Sequence, residues 1–194
     1  ALIALVLGLT VNKVLNGKGE GDPVALLDAG IVLLPQSRTL PAVQLSGTDG
    51  APFALQQLNG KWSLLFFGYT FCPDICPTTL AQLRELKTKL PQTAQDNLQL
   101  VFVSIDPKRD TPDVLKQFVG AFHSRALGLT GTEAEIADAA KKFAVYSSRV
   151  EGSSPESYLM SHSQTPYLMG PDGKPLALMP ADVPNTDANE GAPN

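Results

Sequence analysis

A nearly continuous apolar run over Ser63–Tyr69 is the feature of this chain that most constrains its fold. Such a run is typical of a strand buried on both faces in the centre of a sheet. A second buried strand is predicted over Leu98–Ile105, and between the two runs Thr78–Leu90 places leucines at helical spacing and stops before a proline. Strand, helix and strand in this order predict an α/β fold, a central sheet flanked by helices.

Capping residues and turns predict the remaining elements of the domain. Thr111-Pro112 opens a helix that runs through Phe122, and Thr132 with Glu135 forms a capping box for a helix that runs through Phe143. An N-terminal hairpin is predicted within Pro41–Leu58, because apolar and polar residues alternate there around a Thr-Asp-Gly turn. A second hairpin is predicted near the other end, with Pro166–Met169 and Lys174–Met179 as its strands.

The two ends of the chain differ in composition from its middle. The first twelve residues carry no charge and are mostly aliphatic, which predicts a partial membrane anchor over residues 1–15, with a core or amphipathic helix as the alternative. Three closely spaced glycines predict a flexible tether over 16–30. A polar, proline-containing segment predicts a disordered tail over 181–194. Residues 31–180 then form one domain of ordinary size.

The charge and the cysteine content exclude two classes of protein. A net charge of −4, with scattered Lys and Arg, does not provide the basic stripe that nucleic acid requires. Two cysteines separated by three residues cannot form the disulfide framework of a small secreted domain. The pair therefore indicates a site.

Cys72 and Cys76 lie where a buried strand ends and a helix begins. Free amide groups at a helix start favour thiolate, the form of cysteine that attacks disulfides and binds metal. The alternative is a structural disulfide that closes a very small loop, worth only about 2 kcal/mol. A bridge placed for stability would join distant segments instead.

The cysteine motif resembles that of a known family. The run from Phe66 through Cys72-Pro73-Asp74-Ile75-Cys76-Pro77 to Thr78 is similar to the signature of the Sco/SenC copper proteins, which assist assembly of the binuclear copper centre of cytochrome c oxidase. Further blocks match in order, and the resemblance covers about residues 31–179; these blocks are Leu58–Trp62, Val103–Pro107, Arg109–Pro112, Gly128–Gly131, His162-Ser163, Tyr167-Leu168 and Gly170–Gly173.

The resemblance implies a thioredoxin-like fold, with Cys72, Cys76 and His162 as ligands of one copper ion, Cu(I) or Cu(II). It also implies a metallochaperone that delivers copper to the copper-site subunit of cytochrome c oxidase, with another copper chaperone as a possible donor. The domain is then expected to be membrane-anchored, in the bacterial periplasm or the mitochondrial intermembrane space. Two thiolates and an imidazole suit copper on chemical grounds as well, whereas zinc normally takes a fourth ligand.

Two departures from the family pattern leave a second function open. Ser161 stands where many relatives have an aspartate before the ligand histidine, which removes a partner for the imidazole. Thr165-Pro166 matches the Thr-Pro pair of ordinary thioredoxins, where a cis bond faces the thiols. The alternative function is that of a thiol:disulfide oxidoreductase, with Cys72 and Cys76 as its redox pair, that reduces the copper-site cysteines of the oxidase. A peroxidase is a weaker alternative.

The other chemically active residues have simpler interpretations. His123 follows a helix and is expected to be an ordinary surface residue. The methionines are expected to pack in the core rather than to bind copper; they are Met160, Met169 and Met179. Asp106, Arg109 and Asp110 are interpreted as turn and cap residues. Asp74 is either a solvated first-turn acid or a group that tunes the cysteines.

Overall fold

The computed structural model describes residues 31–34, 42–152 and 157–179. The strands are β1 (Val32–Leu33), β2 (Gln44–Gly47), β3 (Pro52–Ala54), β4 (Trp62–Gly68), β5 (Leu98–Ser104), β6 (Leu127–Thr130), β7 (Ser147–Val150), β8 (Leu159–His162), β9 (Tyr167–Met169) and β10 (Pro175–Leu178). The α-helices are α1 (Ile75–Thr88), α2 (Gln92–Asn97), α3 (Pro112–Phe122) and α4 (Glu133–Phe143), and Leu55–Leu58 forms a 3₁₀ turn.

The central sheet is mixed, as predicted. Its eight strands run in the order β1-β10-β9-β4-β5-β6-β2-β3. The three strands β4, β5 and β6 are parallel neighbours, while the other pairs are antiparallel. Every residue of β4 is buried, which agrees with its apolar composition and its position inside the sheet. The sequence therefore located the central strand correctly.

The helices begin and end close to where the caps predicted. Thr111 caps α3 with Pro112 in its first turn, and Thr132 and Glu135 form the predicted capping box of α4. Helix α1 differs, because it begins at Ile75 and so contains Cys76 in its first turn. Both predicted hairpins are present, as β2–β3 and β9–β10, and Gly173 turns the second with a φ of 76°.

Aromatic side chains join the central strand to its neighbours. The ring centroids of Phe67 and Phe143 lie 5.3 Å apart, and those of Phe143 and Tyr167 lie 5.4 Å apart. The Tyr167 hydroxyl donates a 2.6 Å hydrogen bond to the Phe143 carbonyl, so a buried polar group is satisfied. These contacts tie β4, α4 and β9 into one core.

A small second sheet stands apart from the large one. Among the residues that the structure describes, it contains only β7 and β8, which pair antiparallel with Ser147 opposite His162. Neither of the two predicted hairpins corresponds to this β7–β8 ribbon, so the sequence analysis did not predict it.

The predicted anchor (1–15), tether (16–30) and tail (181–194) lie outside the described residues. Within the described part of the chain, the helices are too short or too polar to cross a bilayer.

Candidate metal centre

Cys72 lies on the connection between β4 and α1, and Cys76 lies at the start of α1. The Cys72 amide donates to the Tyr69 carbonyl at 3.3 Å, which folds the loop back after the strand ends. Cys76 lies in the first turn of α1, and its amide donates to the Cys72 sulfur at 3.4 Å. This amide lies in the first turn, where it has no partner inside the helix, and the Cys72 sulfur accepts its hydrogen bond instead.

His162 comes from the last position of β8 and lies next to the cysteines. Its Nε2 atom is 3.6 Å from the Cys76 sulfur. The ligand atoms of Cys72, Cys76 and His162 all lie within 4.8 Å of one another. The structure therefore brings together the three residues that were predicted as metal ligands, although the cysteines follow a strand of the large sheet and His162 ends a strand of the small one.

A hydrogen bond fixes the tautomer of His162. Its Nδ1 atom lies 2.8 Å from the carbonyl oxygen of Ser163. Because a carbonyl can only accept, Nδ1 carries the proton and Nε2 presents its lone pair toward the sulfurs. Ser161 is exposed and, one residue earlier on the strand, points to the opposite face. The backbone of Ser163 thus orients the imidazole in this chain.

Burial shifts the acidity of two of these groups. The Cys76 side chain is fully buried, and desolvation raises the pKa of its thiol far above the ordinary value. Desolvation also lowers the pKa of His162, with the hydrogen bond to Ser163 acting in the opposite direction. The imidazole is therefore neutral at pH 7, ready to donate a lone pair, and a soft cation can displace the Cys76 proton.

The comparison with known proteins decides the family. The family model described as SCO1/SenC matches residues 34–191. The chain belongs to the SCO1/SenC family. An SCO2-like protein of Rickettsia felis is 42% identical over 134 residues, which make up 69% of this chain and 65% of that protein.

Two solved structures resemble this SCO1/SenC chain. Bradyrhizobium japonicum ScoI with copper bound matches with a TM-score of 0.68 and 34% identity over 74% of this chain and 90% of that one. BsSco matches with a TM-score of 0.58 and 28% identity over 79% and 89% of the two chains. BsSco is described as a member of the Sco family of cytochrome c oxidase assembly proteins, in which a disulfide switch has been identified. The thioredoxin-like fold predicted from the motif is confirmed.

A glycine makes room for the sulfur of Cys76 in this SCO1/SenC domain. A Cβ atom on Gly68 would lie 2.8 Å from the Cys76 sulfur and 2.8 Å from Cε2 of Phe102. Both neighbours are almost fully buried, so neither can move aside cheaply. Gly68, at the end of β4, is needed for close approach and not for an unusual backbone conformation.

Gly68→Ala is therefore expected to lower the free energy of unfolding by about 1 to 3 kcal/mol, the usual cost of overpacking a core. Urea denaturation measures this difference. Gly120→Ala is the matched control, because a Cβ on Gly120 in α3 meets nothing within 4 Å; the control should equal the wild type or exceed it by up to about 1 kcal/mol. Equal stability of Gly68→Ala and Gly120→Ala would contradict this account of the site.

Asp110 has a larger role than the turn or cap that was predicted. It is fully buried, and it accepts hydrogen bonds from the Thr70 amide at 3.0 Å, from the Thr70 hydroxyl at 2.6 Å and from the Ser104 hydroxyl at 2.6 Å. The cap of α3 is Thr111 instead. Asp110 thus ties the cysteine loop to the end of β5. Sequence reasoning missed it, because Thr70 is 40 positions away.

The interpretation of Asp106 and Arg109 as turn residues was also incomplete. Asp106 is 3% exposed and forms an ion pair of 2.6 Å with Arg109. Both residues contact Tyr158, which precedes the strand that carries His162. The family blocks that contain them, Val103–Pro107 and Arg109–Pro112, were the only signals in the sequence that pointed beyond a turn.

The remaining predictions concern residues outside the group of Cys72, Cys76 and His162. Met169 and Met179 are buried in the core and Met160 packs against it, as predicted. His123 is half-buried, and its Nδ1 atom accepts a hydrogen bond from the Arg125 amide at 3.1 Å, away from the metal group. Asp74 is exposed and precedes the first residue of α1. The peptide bond before Pro166 is trans.

Proposed function

We propose that this protein binds one copper ion through Cys72, Cys76 and His162 and delivers it to the binuclear copper site of cytochrome c oxidase during assembly of the oxidase. The observation that carries the proposal is the convergence of two sulfurs and an unprotonated imidazole nitrogen within 4.8 Å. The copper-bound relative and the description of BsSco as a member of a family of oxidase assembly proteins support it.

The donor set suits a cargo that has to be both held and released. Two thiolates are soft ligands that prefer Cu(I), and the imidazole adds a donor that Cu(II) also accepts. No further His, Cys, Asp or Glu joins this group in the described part of the chain, so the site offers three ligands. A three-ligand site leaves a position at which an incoming thiolate of the acceptor can bind before a ligand of this chain leaves.

A copper titration of the reduced protein tests the proposal directly. One equivalent per chain is expected to bind tightly, because the chain has one pair of thiolates. Oxidation of Cys72 and Cys76 to a disulfide is expected to abolish tight binding, since ligation needs both thiolates free. Two tight sites, none, or unchanged binding after oxidation would each overturn the proposal.

A thiol:disulfide oxidoreductase is the second candidate. Both cysteines are free, their sulfurs lie close together, and the Cys72 sulfur accepts a hydrogen bond from the Cys76 amide. In this reaction Cys72 attacks a disulfide of the oxidase copper site, and Cys76 loses its proton and resolves the mixed disulfide. The oxidase cysteines are reduced while Cys72 and Cys76 form a disulfide. The disulfide switch identified in BsSco favours keeping this candidate.

The proposed partners follow from the delivery function. The acceptor is the copper-site subunit of cytochrome c oxidase, and a second copper chaperone is the donor. We place the domain on the periplasmic side of a bacterial membrane, or in the equivalent intermembrane space, with the aliphatic start of the chain as part of its anchor.

A further inference from the structure

The strand that carries His162 is not part of the sheet that positions the cysteines. In the described part of the chain β8 pairs only with β7, whereas the cysteines follow β4 inside the eight-stranded sheet. The hydrogen bonds of the large sheet therefore do not set the distance between His162 and the sulfurs. Side-chain contacts and the short connections 144–146 and 163–166 have to hold the ribbon in place.

The guanidinium of Arg109 lies where the two halves of the site meet. Its Cζ atom is 3.6 Å from the ring centroid of Tyr158, 4.8 Å from that of Phe71 and 5.8 Å from that of Tyr69. All three rings are within the range of a cation–π contact. Tyr69 and Phe71 belong to the loop before Cys72, and Tyr158 immediately precedes β8. One side chain thus contacts both the cysteine loop and the start of the histidine strand.

Hydrogen bonds fix this contact in place. Arg109 donates from Nη1 to the Tyr158 carbonyl at 3.0 Å and from Nε to Asp106 at 2.6 Å. The Tyr158 hydroxyl donates to the other oxygen of Asp106 at 2.7 Å. Arg109, Asp106 and Tyr158 are thus linked in one hydrogen-bond network, in which both Asp106 and Tyr158 are buried. Tyr158 therefore cannot move away without breaking charge-assisted bonds.

Resting on the proposed function, we infer that Arg109 is a positioning residue that keeps the Nε2 atom of His162 within coordinating reach of the two cysteines. Its effect should depend on the oxidation state of copper. Two thiolates alone are suitable ligands for Cu(I), whereas Cu(II) benefits more from the imidazole. Loss of Arg109 should therefore weaken Cu(II) binding selectively.

The test compares Arg109→Ala with the wild type in the full chain, loaded with Cu(II) or Cu(I). The affinity for Cu(II), measured by chelator competition, is expected to fall about 10- to 100-fold, as when an outer partner of a metal ligand is removed. The nitrogen hyperfine coupling of His162 in the Cu(II) paramagnetic resonance spectrum should weaken or disappear. The affinity for Cu(I) should change by about twofold or less, the scatter typical of independent sites.

Arg149→Ala is the matched control. Arg149 also lies over the Tyr158 ring, with its Cζ atom 3.9 Å from the centroid, but it belongs to β7 of the same ribbon. Its removal takes a guanidinium from the same ring without cutting a link to the cysteine loop. Cu(II) affinity should stay within about twofold of the wild type. Arg109→Lys keeps the charge beside Asp106 without the planar guanidinium and should give an intermediate loss of Cu(II) affinity. This variant keeps the inference testable if Arg109→Ala folds poorly.

A double variant and a hydrogen-exchange measurement test whether Arg109 acts through His162. In a His162→Ala background, Arg109→Ala should weaken Cu(II) binding no further, because both changes remove the same ligand. In the metal-free protein, Arg109→Ala should speed amide hydrogen exchange in residues 157–163 but not in β4 or β5.

Unchanged Cu(II) affinity in Arg109→Ala, or an equal loss in the His162→Ala background, would overturn the inference. Failure of the wild type to bind copper would instead overturn the proposed function, and hydrogen exchange would then decide whether Arg109 positions β8.

Discussion

Replacing His162 with alanine is expected to weaken Cu(II) binding by more than about 100-fold, since removal of an outer partner of a metal ligand alone costs about 10- to 100-fold. The substitution removes Nε2, the nitrogen that would donate a lone pair to copper; this atom lies 3.6 Å from the Cys76 sulfur. Cu(I) should be affected less, because both sulfurs remain. Chelator competition in each oxidation state measures both effects.

The same substitution separates the two proposed functions. Thiol exchange depends on the thiolate fraction and the accessibility of Cys72 and Cys76, so reduction of an oxidase copper-site peptide should change only modestly. His123→Ala is the matched control, because His123 is the other histidine of the chain and lies away from the metal group. Failed oxidase assembly with intact peptide reduction would support copper delivery. Normal assembly despite lost copper binding would transfer the main role to the oxidoreductase.

Asp110→Ala is expected to lower the free energy of unfolding by about 3 kcal/mol, because it leaves buried donors of Thr70 and Ser104 without their charged acceptor. Urea denaturation at pH 7 measures the change. Asp113→Ala, at an exposed acid in the first turn of α3, is the control and should cost about 0.5 kcal/mol. A loss at Asp110 no larger than that at Asp113 would contradict the role assigned to this carboxylate.

The pH dependence of protein stability gives a second test of the role of Asp110. Burial raises the pKa of its carboxyl above the ordinary value, although the hydrogen bonds from Ser104 and Thr70 act against this shift. The folded protein then binds a proton that the unfolded chain has already released, so stability falls as the pH rises from the ordinary pKa through the raised one. Asp110→Asn cannot titrate. The stability of the wild type relative to Asp110→Asn should therefore decrease between pH 4 and neutral pH.

Local patterns in the sequence predicted most of the large sheet. Three of the signals used depend only on residues close together in the sequence: the apolar run that forms β4, the capping box at Thr132 and the turn at Gly173. The two cysteines were recognisable for the same reason, since strand end, proline and helix start are local signals. His162 was singled out mainly through the family resemblance.

The parts that the sequence did not predict depend on distant contacts. Asp110 and Thr70 are 40 positions apart, and Tyr158 and Asp106 are 52 positions apart. A polar residue after a strand is most often a turn residue, so nothing near Asp110 indicates that it is buried. The β7–β8 ribbon was missed because its outer positions include exposed apolar residues, among them Val150 and Leu159, which blur the alternation of a half-buried strand.

The distance along the chain between the proposed metal ligands also affects the denatured state. Cys76 and His162 are 86 positions apart, so an ion held between them closes a long loop. A permanent link across about this many residues removes roughly 4 to 5 kcal/mol of chain entropy from the unfolded ensemble. A bound ion acts as such a crosslink for as long as it stays. Release of a bound ion would therefore remove a reversible crosslink, and the metal-free protein is expected to unfold more readily than the metal-bound one.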